Sequence, residues 1–180
     1  MRRVVLMIAA CCLLAGPALA EGEVDFFGNY GEVVSGEDSG GVGARLSLGG
    51  TNWMFDFTAT WIQEVHDIQI VDDPTVDDDS FQIFPFDLGV RYIFGNGNKV
   101  RPYFGAGVSY VTADANRLRV DDGFGLYGLV GLRVGKQPGI NFMAEVLYRW
   151  SEVNVKYGSG MDQDVTVGGL GFQAGVAFVF

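Results

Sequence analysis

The last stretch of the chain, Val165–Phe180, reads VTVGGLGFQAGVAFVF and alternates between two kinds of residue. Every second residue from Phe180 back to Leu170 is apolar, and half of these are phenylalanine. The residues between them are mostly small. A period of two is that of a β-strand, whose side chains point alternately to opposite faces. One bulky apolar face and one bare face predict a strand in the wall of a small membrane β-barrel, with lipid outside and a narrow lumen inside.

The first twenty residues have the features of a secretory signal peptide. Arg2 and Arg3 precede an apolar run, and Ala18-Leu19-Ala20 forms an A-x-A cleavage site. We expect residues 1–20 to be removed. Residues 21–180 then form a single barrel domain, exported to the outer membrane of a Gram-negative bacterium.

Both cysteines, Cys11 and Cys12, lie in the segment that we expect to be removed. The mature chain would therefore have no disulfide, no thiol nucleophile and no thiolate metal site. One alternative remains, because residues 8–11 resemble a lipoprotein box in which Cys11 would be lipidated.

The charge of the mature chain excludes one class of function. Ten basic and 22 acidic residues remain after cleavage, a formal charge of −12. An acidic protein does not bind nucleic acid by releasing counterions, so nucleic acid is not expected as a partner. The 27 glycines favour closely packed strands over helices.

Eight segments of the mature chain alternate with a period of two, at residues 24–34, 42–48, 53–65, 81–94, 100–113, 124–134, 140–156 and 165–180. Their connections alternate in length. Three are tight and rich in Gly, Asn and Pro, at residues 49–52, 95–99 and 135–139, and four are longer and polar, at 35–41, 66–80, 114–123 and 157–164. This layout predicts an all-β fold, an eight-stranded antiparallel up-and-down transmembrane barrel with short periplasmic turns and longer extracellular loops.

The polar face of these segments distinguishes a membrane barrel from a soluble one. A soluble barrel would expose Lys, Glu and Thr on that face, and its periplasmic form remains an alternative. Here the lysines lie at turns or strand ends, and the polar face carries Arg45, Asp56, Asp87, Arg91, Arg101, Arg133, Glu145 and Arg149. A lipid-facing arginine costs about 2–4 kcal/mol at mid-bilayer, so we expect these residues inside the lumen.

Arginines in the narrow lumen of an eight-stranded barrel need carboxylate partners. We expect Arg91, Arg101, Arg133 and Arg149 to form a network with Asp56, Asp87 and Glu145, joined by bidentate pairs. The lumen would then be plugged, and these residues would stabilise the fold rather than form a proton or ion path.

Aromatic residues cluster near the strand ends and predict two interfacial girdles, formed by Trp53, Trp61, Tyr92, Tyr110, Tyr148 and Trp150. Two prolines lie inside predicted strands and cannot donate to the hydrogen-bond ladder. We expect Pro102 at the rim beside a turn, and a bulge at Pro85 near the outer end of its strand.

Three motifs could carry chemistry, and each has a simpler interpretation. Residues 123–128 match G-x-G-x-x-G, but a strand follows instead of the helix that a dinucleotide site needs. His66 has no His-x-Ser motif and no neighbouring serine, so no catalytic residue is predicted. The acidic stretch 72–79 lacks the Gly and Glu of an EF-hand loop. No cofactor or metal site is therefore expected, although loose divalent-cation contact that bridges to lipopolysaccharide phosphates is a hypothesis.

The chain resembles the OmpA/OmpX-like family of small outer-membrane β-barrels. The resemblance rests on residues 101–107 (RPYFGAG), residues 145–149 (EVLYR) and the terminal Phe180, and it covers the whole mature chain. It implies that Val176, Phe178 and Phe180 form the assembly signal read by the barrel-assembly machinery. The periplasmic peptidoglycan-binding domain of OmpA is absent from the sequence, so that role is not implied.

The resemblance leaves the function open, because the roles of this family are diverse and reside in loops whose sequences do not carry over. It implies contact with outer-membrane lipids and lipopolysaccharide. We expect a non-enzymatic barrel that serves envelope structure or surface interaction. The alternatives are a lipid-modifying enzyme at the outer rim, or a narrow channel or carrier of small apolar ligands.

Overall fold

The structure is a computed structural model that describes residues 21–34, 37–65, 81–95, 98–115, 119–120, 122–156 and 162–180. These residues form ten strands: β1 (Glu21–Val34), β2 (Glu37–Gly49), β3 (Trp53–Val65), β4 (Phe81–Ile93), β5 (Val100–Ala115), β6 (Arg119–Val120), β7 (Gly123–Gly135), β8 (Gly139–Lys156), β9 (Asp162–Val167) and β10 (Leu170–Val179). Strands β9 and β10 are two halves of one span, and β6 is a two-residue addition beside β8. No helix long and apolar enough to cross a bilayer occurs within these ranges.

The sheet closes on itself. Each long strand pairs antiparallel with the next, and β1 also pairs with β10, so that Phe26 faces Ala44 on one side and Val176 on the other. Closure removes the free sheet edges that would otherwise seek partners. The predicted eight-stranded antiparallel barrel is therefore confirmed. We call the rim with the short connections the turn end and the opposite rim the loop end.

The outer surface carries the bulky apolar side chains. Trp53, Trp61 and Trp150 are 57%, 41% and 49% exposed, although tryptophan is highly buried on average in soluble proteins. Every apolar residue of the period-two set in β10 also points outward. This inversion of the usual burial pattern fits a lipid solvent rather than the water around a soluble barrel.

The first connection at the loop end is shorter than the sequence suggests. Strands β1 and β2 stay paired as far as Val34 and Glu37, so residues 37–41 are strand and not loop. The glycines and polar residues of this segment resemble a loop in sequence. Pairing with β1 nevertheless satisfies their backbone groups.

The last span bends at Gly168 and Gly169, between β9 and β10. Gly168 has a φ of +128°, which disfavours residues with a side chain, and its N–H donates to the Val33 carbonyl at 2.7 Å. A Cβ at this position would also collide with the carbonyl oxygen of Arg149. The two glycines thus let one span continue through an irregularity that alternation alone does not show.

The irregularity predicted at Pro85 lies a few residues closer to the loop end. The register between β3 and β4 shifts between Ile62 and Val65, whereas Pro85 keeps its regular pairing with Val111 on β5. Because proline lacks an N–H, it weakens the ladder toward one neighbour only. Pro102 is exposed at the turn end, as expected, and its carbonyl accepts a hydrogen bond from Phe94 N–H at 2.9 Å.

Candidate functional site in the barrel lumen

The lumen contains ten buried charged side chains within the described residues, and their formal charges cancel. They are Glu23, Asp25, Arg45, Asp56, Asp87, Arg91, Arg101, Arg133, Glu145 and Arg149. All eight of the residues assigned to the lumen from sequence are among them. They reach one space because inward-facing side chains recur at every second position of the closed sheet.

One cluster is centred on Glu23 near the turn end. Glu23 accepts hydrogen bonds from Arg91 at 2.8 Å and from both terminal nitrogens of Arg133. Arg91 also lies 3.1 Å from Asp56, and Asp25 lies 3.4 Å from Arg133. Two guanidinium groups therefore share three carboxylates, and these charge-assisted pairs offset the cost of burying the ions.

A second cluster joins Arg45 to Glu145 through two parallel hydrogen bonds of 2.5 and 2.7 Å. Tyr103 donates its hydroxyl proton to the same carboxylate at 2.7 Å, and Arg45 Nε donates to Thr58 at 3.2 Å. The ring of Phe27 lies under the Arg45 guanidinium at 5.5 Å, a cation–π contact. The two charged side chains are thus joined by two parallel hydrogen bonds, and Thr58 and Tyr103 form further hydrogen bonds with them.

A third pair lies apart from these clusters. Arg149 donates to Asp87 at 2.6 Å, and Ser109 donates its hydroxyl proton to the other oxygen of that carboxylate at 2.6 Å. The predicted partners Arg149 and Asp87 are therefore in direct contact.

Arg101 departs from the predicted network. It lies in the lumen, but among the described residues its one hydrogen bond goes to the amide oxygen of Asn141 at 2.9 Å, and no carboxylate of those residues lies within 4 Å. The expectation that Arg101 joins the ion pairs is wrong. Arg133, its direct neighbour across β5 and β7, already pairs with Glu23 and Asp25.

Two acidic residues of the network, Glu23 and Asp25, were missed from the sequence. The first segment was placed at residues 24–34, whereas β1 begins at Glu21. The adjacent Phe26 and Phe27 hide the alternation there, because Phe27 points inward onto Arg45. The period-two pattern continues through Glu23, Asp25 and Asn29, and this pattern could have identified the two acidic residues as inward-facing.

Apolar side chains fill the lumen near the loop end and among the charges. One cluster near the loop end consists of Val33, Ile62, Ile83, Val111, Val153 and Val167. Another lies among the ion pairs and consists of Met54, Ile93, Tyr103, Tyr127, Leu129 and Leu147. A cavity between Asn29 and Arg149 measures about 30 Å³, roughly the room of one water molecule. The interior therefore resembles a packed core more than a water-filled channel.

The aromatic residues predicted for the girdles lie on the outer wall. Trp53 and Tyr92 are in edge contact at 4.9 Å near the turn end, and Tyr110 packs on Phe124 at 4.9 Å near the loop end. The outward side chains Trp61, Tyr148 and Trp150 complete the set. Their level relative to a bilayer stays a prediction.

The remaining motifs have mixed outcomes. The glycines of residues 123–128 belong to strand β7, as the simpler interpretation held. His66 and the acidic stretch 72–79 lie outside the described residues, so the catalytic and cation hypotheses stay untested. Within the described ranges, no group of three or more His, Cys, Asp or Glu side chains is arranged to hold a metal ion.

Comparison with known proteins agrees with this architecture. A family model described as "Outer membrane protein beta-barrel domain" matches residues 4–180. The chain belongs to this family. The family and the fold together make it an outer-membrane β-barrel protein, which accounts for the apolar outer wall and the ion-paired interior. A search of curated proteins by sequence finds no relative.

Solved outer-membrane barrels share the fold at low sequence identity. The chain is similar to OprG from Pseudomonas aeruginosa, with a TM-score of 0.68, 16% identity and coverage of 92% of this chain and 98% of that one. It is also similar to Neisserial surface protein A, with a TM-score of 0.59, 16% identity and coverage of 88% and 95%. The N-terminal barrel domain of P. aeruginosa OprF gives a TM-score of 0.56, 16% identity and coverage of 89% and 97%. At this identity the likeness establishes the fold alone.

Proposed function

We propose that the protein is a non-enzymatic outer-membrane barrel that serves envelope structure or surface interaction through acidic loops at the loop end. Its lumen acts as a structural core and not as a conduit. Lipids and lipopolysaccharide surround the wall, and the barrel-assembly machinery inserts the chain.

The charge-balanced lumen is the observation that carries this proposal. Five arginines face five carboxylates in the interior, and apolar clusters lie beside them. Ion passage would require the pairs to separate, which costs several kcal/mol for each buried ion. Activity is therefore assigned to the loops, whose charged residues are mostly aspartate.

Conductance in planar bilayers tests the closed lumen. We expect the purified barrel to give no steady current above that of the bare bilayer, while a porin added to the same membrane gives clear steps. A reproducible ohmic conductance from this protein would contradict the proposal and favour the narrow-channel alternative.

A complementation experiment separates the two roles that the proposal allows. A deletion strain receives either the natural chain or a variant in which the acidic residues of the stretch 72–79 are replaced by asparagine. If the protein serves envelope structure, both chains restore resistance to detergent. If it serves surface interaction, only the natural chain restores adhesion or ligand capture. Failure of the natural chain to restore either property would overturn the proposal.

The enzymatic alternative predicts a different outcome. Replacement of His66 by alanine would then change the lipid A of the same strain, as read by mass spectrometry. We expect identical lipid A from the natural chain, the variant and the deletion strain.

A further inference from the structure

The turn end of the lumen contains an arginine that forms no ion pair within 4 Å in the part of the chain that the structure describes. Arg101 is the second residue of β5 and is 1% exposed. Its Nε and Nη1 atoms are buried and have no hydrogen-bond acceptor among the described residues. Each of the other four lumen arginines lies within 3.1 Å of a carboxylate oxygen. Arg101 is therefore the exception in an otherwise paired set.

A buried guanidinium without an anion is costly, because the protein interior does not replace the hydration of its charge. Buried groups of this kind in native proteins are normally satisfied by an ordered water or a bound ion. Arg101 belongs to the lumen layer nearest the turn end, only two residues from the exposed Lys99. The turn end is therefore the rim nearest to the unused donors.

The rim around Arg101 is basic. The two short connections beside it lie next to each other, because Gly135 N–H donates to the Lys99 carbonyl at 2.9 Å. They contribute the exposed Lys99 and Lys136. Asn141 ties Arg101 to the second connection, since its side-chain nitrogen donates to the Lys136 carbonyl at 3.2 Å.

Little negative charge offsets these three cations. In the part of the chain that the structure describes, Glu21 is the acidic side chain at this rim that forms no ion pair with a lumen arginine, although its charge attracts Arg101 from beyond 4 Å. Glu23 lies further inside and is shared by Arg91 and Arg133. The rim therefore carries three positive charges and the one negative charge of Glu21. The rest of the described lumen holds four arginines and five carboxylates.

We propose that Lys99, Arg101 and Lys136 form a phosphate-binding site at the turn end of the barrel. The unused Nε and Nη1 of Arg101 are two charged donors on different edges of its guanidinium, and the lysines add charge beside them. The wall next to this site carries the packed rings of Tyr92, Phe94 and Phe104, with centroid distances of 4.9–5.9 Å.

Aromatic clusters of this kind are typical of the level of lipid headgroups. A phosphate at that level can belong to a phospholipid headgroup or to a free anion. The site binds the same phosphate group from either source, and the experiment below distinguishes the two sources.

The test uses the mature chain folded in maltoside micelles, which contain no phosphate. Inorganic phosphate is titrated in one arm, and short-chain phosphatidylglycerol is titrated in the other. Binding is measured by calorimetry, and the Nε–Hε signal of Arg101 is followed by NMR. We expect saturable binding that shifts this signal and weakens as salt is raised.

Three variants sharpen the result. Arg101→Gln is expected to weaken binding by about tenfold or more, because the positive charge and its unused donors are lost. The double variant K99Q/K136Q changes exposed residues only, keeps the fold, and is expected to weaken binding by about threefold or more. Lys156→Gln, at the opposite end of β8, is the matched control and should bind as the natural chain does.

The outcomes test the proposal and identify the source of the phosphate. A response to phosphatidylglycerol alone identifies the headgroup, and a response to both probes shows that a free phosphate suffices. Absence of binding to both probes overturns the site. It is also overturned if K99Q/K136Q and Arg101→Gln bind as tightly as Lys156→Gln, or if the Arg101 signal does not move while phosphate binds.

Discussion

The Arg45–Glu145 pair offers the sharpest quantitative test of the lumen. Arg45→Met would leave Glu145 buried without its fork, and Glu145→Leu would leave Arg45 with Asp25 at 3.5 Å as its remaining carboxylate. Removal of one partner of a buried pair costs about 3–5 kcal/mol. Two independent losses would therefore sum to about 6–10 kcal/mol.

The double variant R45M/E145L should be far less destabilised than this sum. It removes both charges, restores a neutral lumen, and replaces a buried pair by apolar groups, a change that is often close to neutral. The remaining cost comes from Tyr103 and Thr58, which lose their partners at about 1–3 kcal/mol each. We therefore expect a coupling free energy of about 3 kcal/mol or more between the two positions.

Urea unfolding from lipid vesicles measures these free energies, with the outward tryptophans as fluorescent reporters. The matched control is the cycle of Arg149→Met with Glu145→Leu, because Arg149 pairs with Asp87 and not with Glu145. That cycle should be additive within about 0.5 kcal/mol. A coupling below about 1 kcal/mol for Arg45 and Glu145 would refute the claim that the pair acts as a unit.

Three other predictions follow from the wall, the lumen and the last strand. Leu88→Arg places a cation on the outer wall of β4, where Leu88 is 49% exposed, and should cost about 2–4 kcal/mol in the same unfolding assay, whereas Leu88→Ala should cost much less. Gly89→Val should cost about 1–3 kcal/mol, because a Cβ there would collide with the Tyr127 hydroxyl, while Gly50→Ala, with no atom within 4 Å, should be neutral; equal unfolding midpoints would contradict this. Phe180→Ala should lower the fraction of folded barrel in membranes, read by heat-modifiable electrophoresis. Phe142→Ala, equally outward on β8, should not, and equal losses would remove the assembly role from the last residue.

The sequence was sufficient for the fold because lipid and lumen impose opposite demands on alternate residues. The period-two pattern of β10 is clear because its outward set is wholly apolar and its inward set is mostly small. The same logic failed in β1, where Phe27 is apolar and yet points inward to stack on Arg45. An aromatic ring can contact either lipid or a guanidinium group, so an aromatic residue alone does not show whether its side chain points outward or into the lumen.

The pairing of charges was less predictable than their location. The period-two alternation places Arg101 and Arg133 on the inner face of the barrel. The partner of each arginine depends on its position along the barrel axis and on neighbours that are far apart in sequence. Arg133 reaches Glu23 across 110 residues, while Arg101 reaches only Asn141. Alternation contains no information about such distances, and this is why the network required a three-dimensional structure.

The separation of charge between the lumen and the loops follows from the two environments of the barrel. In the interior the dielectric is low, so a buried cation is stabilised by a nearby anion, and four of the five arginines described there are paired with carboxylates. The loops meet water, where like charges are screened within about 8–10 Å and can accumulate at little cost. Most of the 22 acidic residues therefore fall in or beside the connections at the loop end. A field of this sign repels anions and attracts cations, so a partner at the loop end should carry positive charge, and its association should weaken as salt is raised.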